Sequence, residues 1–229
     1  MRIHWLQHAD FEDLGCIGPW LAAHGHVVSA TRLYAGERPP PTANFDALIV
    51  MGGPMNIYQH ERHPWLVPEK ALIRGALDSG KRVLGLCLGA QLLADVLGGP
   101  VTRNADREIG WFPVTLTEAG RAAPLLADLP DSFTAFHWHG DTYALPPDAQ
   151  QLAFSEACAQ QAFSAVAGRA LGLQFHLEVT QANAQIWFEH ARPKVARYVQ
   201  TPEHILAQPA CFDDNNRFMR SILARFLAE

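Results

Sequence analysis

The chain has 229 residues, 48% of them apolar and 18% charged, which suits one well-packed α/β domain and is short for two. A formal net charge of -5 supplies no nucleic-acid footprint, and no stretch approaches the ~20 apolar residues of a membrane span. The start lacks the apolar core and cleavage site of a signal peptide. Cys16, Cys87, Cys158 and Cys211 are scattered without a CxxC pair, which fits reduced thiols and a cytoplasmic location.

The first hundred residues alternate between strand-like and helix-like segments. A strand is expected at 2–7, a helix at 11–24 closed by Gly25, and a strand at 26–34. Pro39, Pro40 and Pro41 form a surface connection before a buried strand from Phe45 to Met51, closed by Gly52-Gly53-Pro54. A helix follows over 66–79, with Gly80 in the stop position. Arg82 to Leu86 reads as another buried strand running into Cys87, and 88–97 as a helix apolar on all sides. Continuous apolar strands separated by helices point to a parallel sheet covered on both faces. Beyond residue 100 the segments 109–117, 133–145, 150–155 and 162–175 read as strands with short connections, an antiparallel extension. Helices from Thr180 and over 214–228 close a single domain spanning 1–229.

The richest segment is Val83-Leu84-Gly85-Leu86-Cys87-Leu88-Gly89-Ala90-Gln91. A cysteine sits where a buried strand turns into a buried helix, with glycines two residues before and two after. This is the thiol counterpart of the nucleophile elbow, whose tight turn excludes a Cβ at the flanking positions. The helix N-terminus favours a thiolate there, and the Leu88 N–H is free to face a developing oxyanion. The competing reading is a small buried core cysteine. Both glycines and the strand–helix context favour catalysis.

A thiol nucleophile needs a base, and the base needs an orienting partner. Of 11 histidines, His176 ends the apolar run Ala170–Phe175 and is followed by Leu177 and Glu178. In extended chain, residues two apart share a side, so Glu178 can hold the His176 ring. Parallel strands present their C-terminal ends along one edge, so a separation of 89 positions (176 − 87) does not keep His176 from Cys87.

These residues resemble class I glutamine amidotransferases. Cys87, Gly89 and Gln91 match that family's Cys-x-Gly-x-Gln turn, His176 and Glu178 its later His-x-Glu pair, and Gly52-Gly53-Pro54 its earlier loop. Trp138-His139-Gly140-Asp141 is similar to its histidine–glycine–aspartate stretch. The resemblance covers about 45–180. It implies a flavodoxin-like three-layer sandwich with a mostly parallel sheet and a small antiparallel extension. It also implies an oxyanion hole from the Gly53 and Leu88 amides, and a substrate contact from Gln91. Gly110-Trp111-Phe112-Pro113-Val114 and His137-Trp138-His139 resemble the branch of stand-alone proteins akin to the amidotransferase domain of GMP synthase. Leu177 stands where many members carry proline, and no synthetase domain or nucleotide-binding motif follows.

The expected activity is therefore amide hydrolysis of glutamine or another γ-glutamyl compound by a Cys87–His176–Glu178 triad, through a γ-glutamyl thioester and without a cofactor. Its substrate side would hold Gly53, Leu88, Gln91, His139 and Asp141, the last a candidate for the α-ammonium. Ammonia would pass to a separate synthetase subunit, or the chain would act alone as a γ-glutamyl peptidase. An ester- or lactone-cleaving α/β-hydrolase shares the elbow but places its acid before its histidine. A non-catalytic binding protein on the same fold is the third alternative. His137 and His139 could ligate a metal from one strand face, but no third ligand stands at a recognisable spacing, and His60-x-x-His63 lies in a polar loop.

Overall fold

A computed structural model describes residues 1–228. It is built on one nine-stranded sheet. The parallel half comprises β1 (Arg2–Gln7), β2 (Val27–Arg32), β3 (Ala47–Val50), β4 (Arg82–Leu86) and β9 (Ala170–Leu173). Four strands extend it antiparallel: β5 (Val101–Leu116), β6 (Ser132–Tyr143), β7 (Gln150–Phe154) and β8 (Ala162–Ala165). The order across the sheet is β2-β1-β3-β4-β9-β8-β7-β5-β6. This is the mixed, three-layer α/β architecture expected from the alternating apolar segments.

Side chains alternate across the sheet with a period of two, so a strand buried on both faces must be apolar throughout. All four residues of β3 are buried accordingly. Ile49, with Ile3, Leu84 and Leu171, packs under α1 (Ile17–Ala23) and α7 (Pro209–Phe226). Leu48 and Val50, with Val83, pack under α2 (Leu66–Asp78) and α3 (Leu88–Val96). Helix α3 buries seven of its nine residues, as its all-round apolar sequence requires. Truncating one of these core leucines to alanine costs ~2–5 kcal/mol. A smaller aromatic cluster of Trp111, Phe136, Trp187 and Phe212 ties α5 (Gln181–His190) and α6 (Pro202–Leu206) to the sheet. No helix among the described residues is long and apolar enough to cross a membrane.

Several expected boundaries move. The helix read over 11–24 begins only at Ile17. Gly15 takes a left-handed φ of 51°, its N–H donates to the Asp13 carboxylate (2.8 Å), and the Cys16 N–H donates to the Glu178 carbonyl (2.9 Å). The strand read over 162–175 is a hairpin of β8 and β9, reversed by positive φ at Val166, Ala167 and Gly168. Strand β5 starts eight residues early (109 − 101), and its register with β6 shifts between Arg103 and Glu108. The final helix starts at Pro209 rather than 214, and α4 (Glu118–Ala122) and α6 are short helices without a strong apolar period.

Helix α7 does more than cover the sheet. Asn216 donates from Nδ2 to the Leu177 and Val179 carbonyls (3.0 and 2.9 Å), gripping the backbone on both sides of Glu178. Asn216→Ala orphans both buried carbonyls and costs ~2–4 kcal/mol. Thermal unfolding should register this as a Tm lower by roughly 5–15 °C.

Candidate active site

Strands β4 and β9 are parallel neighbours with Leu86 opposite Leu173, so their C-terminal ends deliver Cys87 and the 174–178 segment side by side. The Cys87 N–H donates to the Leu173 carbonyl at 2.8 Å. Cys87 has φ 50° and ψ -103°, a conformation that costs a non-glycine residue ~1–3 kcal/mol. The flanking glycines make it possible. A Cβ at position 85 would lie 2.7 Å from the Ala90 nitrogen, and one at 89 would lie 2.7 Å from the Val50 carbonyl carbon.

His176 is buried, and its Nδ1 lies 2.6 Å from Glu178 Oε1. Nε2 is thereby left free on the side of Cys87: His176 Cε1 and Cys87 Cβ lie 3.3 and 3.9 Å from where a Cβ on Gly52 would be, and both residues line one cavity. Burial opposes a charged imidazole, but the Glu178 carboxylate and the Cys87 sulfur outweigh it and raise the His176 pKa well above its usual value. The Trp187 ring packs against His176 edge-on at 5.0 Å. Gln174 donates from Nε2 toward the Cys87 sulfur at 3.6 Å.

Two spaces meet at Cys87. One is a polar cleft of about 620 Å³ whose walls include Gly53, Leu88, Gln91, Arg103, Arg107, His139 and Asp141. All five residues expected on the substrate side from sequence are therefore gathered there. Asp141 accepts a 2.6 Å bond from Asn56 Nδ2. Gln91 donates from Nε2 to the Asp141 carbonyl and to Gln174 Oε1 (3.2 and 3.1 Å). His139 has both ring nitrogens engaged, Nδ1 near the Asp141 carbonyl (3.0 Å) and Nε2 near Glu108 Oε2 (3.0 Å), so it braces Asp141 from behind. The other space is a cavity of about 310 Å³ walled by Phe11, Glu12, Trp138, His176, Trp187 and His190.

The loop after β1 contributes groups that the expected helix hid. His8 donates from Nδ1 to the Gly52 carbonyl (2.8 Å), and its Nε2 meets Glu69 Oε1 (2.7 Å). Burial disfavours charge on His8, but the Glu69 carboxylate overrides it and raises the pKa. The Gly52 carbonyl and the Gly53 N–H belong to one rigid peptide unit, so this ion pair also fixes the Gly53 donor. Glu12 is buried beside the same loop. Burial pushes its carboxyl up to about 7, with the nearby histidines working against that. The folded protein thus binds a proton at Glu12 that the unfolded chain releases near 4.5. Stability from this group is complete below that pH and declines as the pH rises through about 7. In Glu12→Gln, Tm measured against pH should lose that decline.

The sequence reading found no third group beside His137 and His139. The structure corrects this, for Glu108 pairs with His139 across β5 and β6, and the three offer ligand atoms within 4.8 Å of one another. Chain spacing conceals such a trio because strand pairing creates it. Glu108 is engaged throughout, with His139 Nε2 at 3.0 Å and with Ser155 Oγ and Gln161 Nε2 donating at 2.7 Å each, while His137 Nε2 has no partner among the described residues. Burial lowers the His137 pKa to about 4 despite Glu108, leaving that ring neutral.

Fold, elbow and imidazole–carboxylate pair together have the architecture of the amidotransferase type. A profile of the family described as Glutamine amidotransferase class-I matches residues 23–190, and the chain belongs to that family. It is 35% identical to the glutamine amidotransferase-like protein YfeJ of Salmonella typhimurium (strain LT2), over 100% of this chain and 97% of that one. A crystal structure of a glutamine amidotransferase from Thermotoga maritima superposes with a TM-score of 0.91 at 30% identity, covering 100% of this chain and 99% of that one. The chain is also 39% identical over 134 residues to a glutamine-hydrolyzing GMP synthase of Thermomicrobium roseum. That match takes in 58% of this chain but only 23% of the synthase.

Proposed function

We propose that the chain hydrolyses the side-chain amide of glutamine or of another γ-glutamyl compound through a Cys87–His176–Glu178 triad. The observation that carries this reading is the 2.6 Å His176–Glu178 pair sharing one cavity wall with a sulfur on a strained elbow. Family membership supports cysteine-based glutamine hydrolysis, and the order Cys–His–Glu counts against an α/β-hydrolase.

The Cys87 thiolate adds to the γ-carbonyl, and the carbonyl π electrons move onto oxygen. The Gly53 and Leu88 N–H groups receive that oxyanion, the first held in place by His8 through Gly52. As the oxyanion collapses, the C–N bond breaks, His176 gives its Nε2 proton to the departing nitrogen, and a γ-glutamyl thioester remains. Water then adds to the thioester while His176 accepts its proton. The C–S bond breaks, and glutamate leaves with the thiolate–imidazolium pair restored. In the polar cleft, Asp141 faces the substrate α-ammonium and Arg103 or Arg107 its α-carboxylate, with Gln91 and His139 holding Asp141.

Where the nitrogen goes is a separate part of the proposal. Similarity to a segment of GMP synthases supports delivery of ammonia to a separate synthetase subunit. The test is to incubate purified protein with glutamine and γ-glutamyl amides and measure glutamate. Glutamate released in step with ammonia or amine is the expected result. Cleavage of esters with no glutamate from any amide would overturn the assignment.

A further inference from the structure

The 310 Å³ aromatic cavity has no task in releasing ammonia, which is about the size of a water molecule and needs roughly 30 Å³. Its placement gives it one. His176 lines this cavity and not the polar cleft, whereas Gln91, Asp141 and both arginines line the cleft and not the cavity. The proton donor must face the departing nitrogen. A substrate whose γ-glutamyl half lies in the cleft therefore projects its leaving group into the cavity.

The cavity's chemistry narrows that group further. Phe11, Trp138 and Trp187 present aromatic surface, with His190 stacked on Phe11 at 4.1 Å. Glu12 is its carboxylate, buried and without a hydrogen bond or ion pair among the described residues. Its Oε2 lies 2.8 Å, and His176 Cε1 3.3 Å, from where a Cβ on Gly52 would be, so acid and base flank one point of the wall. No lysine or arginine lines the cavity. The His176 imidazolium is committed to Glu178 and to the departing nitrogen, so a leaving amino acid would bring its α-carboxylate beside Glu12 with no lysine or arginine to receive it. An amine without that carboxylate meets aromatic faces, and as an ammonium it gains cation–π contact and draws Glu12 from the acid form that burial favours to the carboxylate.

We infer that the aromatic cavity is a leaving-group site for γ-glutamyl amides of aromatic or bulky alkyl amines, with Glu12 selecting against a carboxylate next to the scissile nitrogen. This rests on the proposed γ-glutamyl hydrolysis and names its substrate class.

The test compares kcat/KM for glutamine, γ-glutamyl methylamide, γ-glutamyl phenethylamide and γ-glutamyl-phenylalanine, the last two differing only by the carboxylate. The phenethylamide should exceed both the methylamide and γ-glutamyl-phenylalanine by at least about tenfold. Phe11→Ala should shrink the first ratio, and Glu12→Gln the second, each by about tenfold. Equal values for the three amides, a preference for glutamine, or ratios unmoved by the substitutions would overturn the inference while leaving γ-glutamyl hydrolysis intact. Labelling of Cys87 by a diazoketone analogue of glutamine without turnover of any amide would overturn it as well. No labelling and no turnover would instead sink the hydrolysis reading beneath it.

Discussion

Cys87→Ala should reduce kcat/KM for any γ-glutamyl amide by at least ~10⁴-fold, to the level set by binding and the oxyanion donors alone. The change removes one sulfur from a residue that is 7% exposed, and the backbone bonds to Leu173 and Gln91 remain. Alanine at φ 50° carries the strain that Cys87 carries, so the fold is kept and the loss is chemical. Unfolding curves of the two proteins should agree within ~1 kcal/mol. Trp138, whose carbonyl faces the sulfur, lines the adjoining cleft, and the buried Gln174 amide loses only a long 3.6 Å contact to sulfur. Retention of more than a few per cent of activity would require another nucleophile. Cys16 cannot be that group, because burial pushes its thiol up to about 12.

Glu178→Gln should lower kcat ~10³–10⁴-fold with little change in KM, because an amide in the acid's place no longer holds the tautomer or stabilises imidazolium. The pH profile separates this from simple misplacement. In the wild-type protein the raised His176 pKa keeps imidazolium present above the ordinary 6.5, and the charge is lost only as pH rises through the raised value. Activity that depends on imidazolium to protonate the leaving nitrogen therefore falls on the alkaline side. Removing the Glu178 charge lets burial dominate, lowers the ring's pKa and moves that alkaline limb to lower pH. The limb belongs to the Cys87–His176 pair as a unit, so it is read as an apparent value. An unchanged limb with a smaller kcat would assign Glu178 a structural role.

The elbow and its base were legible in sequence because each depends on local pattern. Gly85 and Gly89 mark a close approach of backbones, and a two-residue step in extended chain puts Glu178 beside His176. Much of the parallel half was equally legible, since β3 and β4 are apolar runs of strand length, whereas β9 was merged with β8 in one strand over 162–175. What sequence concealed depends on contacts between distant elements. Phe11 and Leu14 have helical spacing, yet Gly15 and the bond from Cys16 to Glu178 turn that segment into the loop that delivers His8 and Glu12. Glu69 reads as an ordinary first-turn acid of α2 until His8 is found against it. Asn216 interrupts the apolar face of α7 for a reason visible only in the carbonyls it holds. Glu108 joins His137 and His139 through strand pairing, which no linear spacing reports.

In the proposed reaction a γ-glutamyl group passes through the Cys87 sulfur. Mass spectrometry of the intact protein, quenched in acid during turnover of a γ-glutamyl amide, tests this most directly. A fraction of the chain should be heavier by one γ-glutamyl residue, mapped to the peptide containing Cys87 and released by hydroxylamine. Turnover with no such adduct, or with the adduct mapped to another residue, would contradict it.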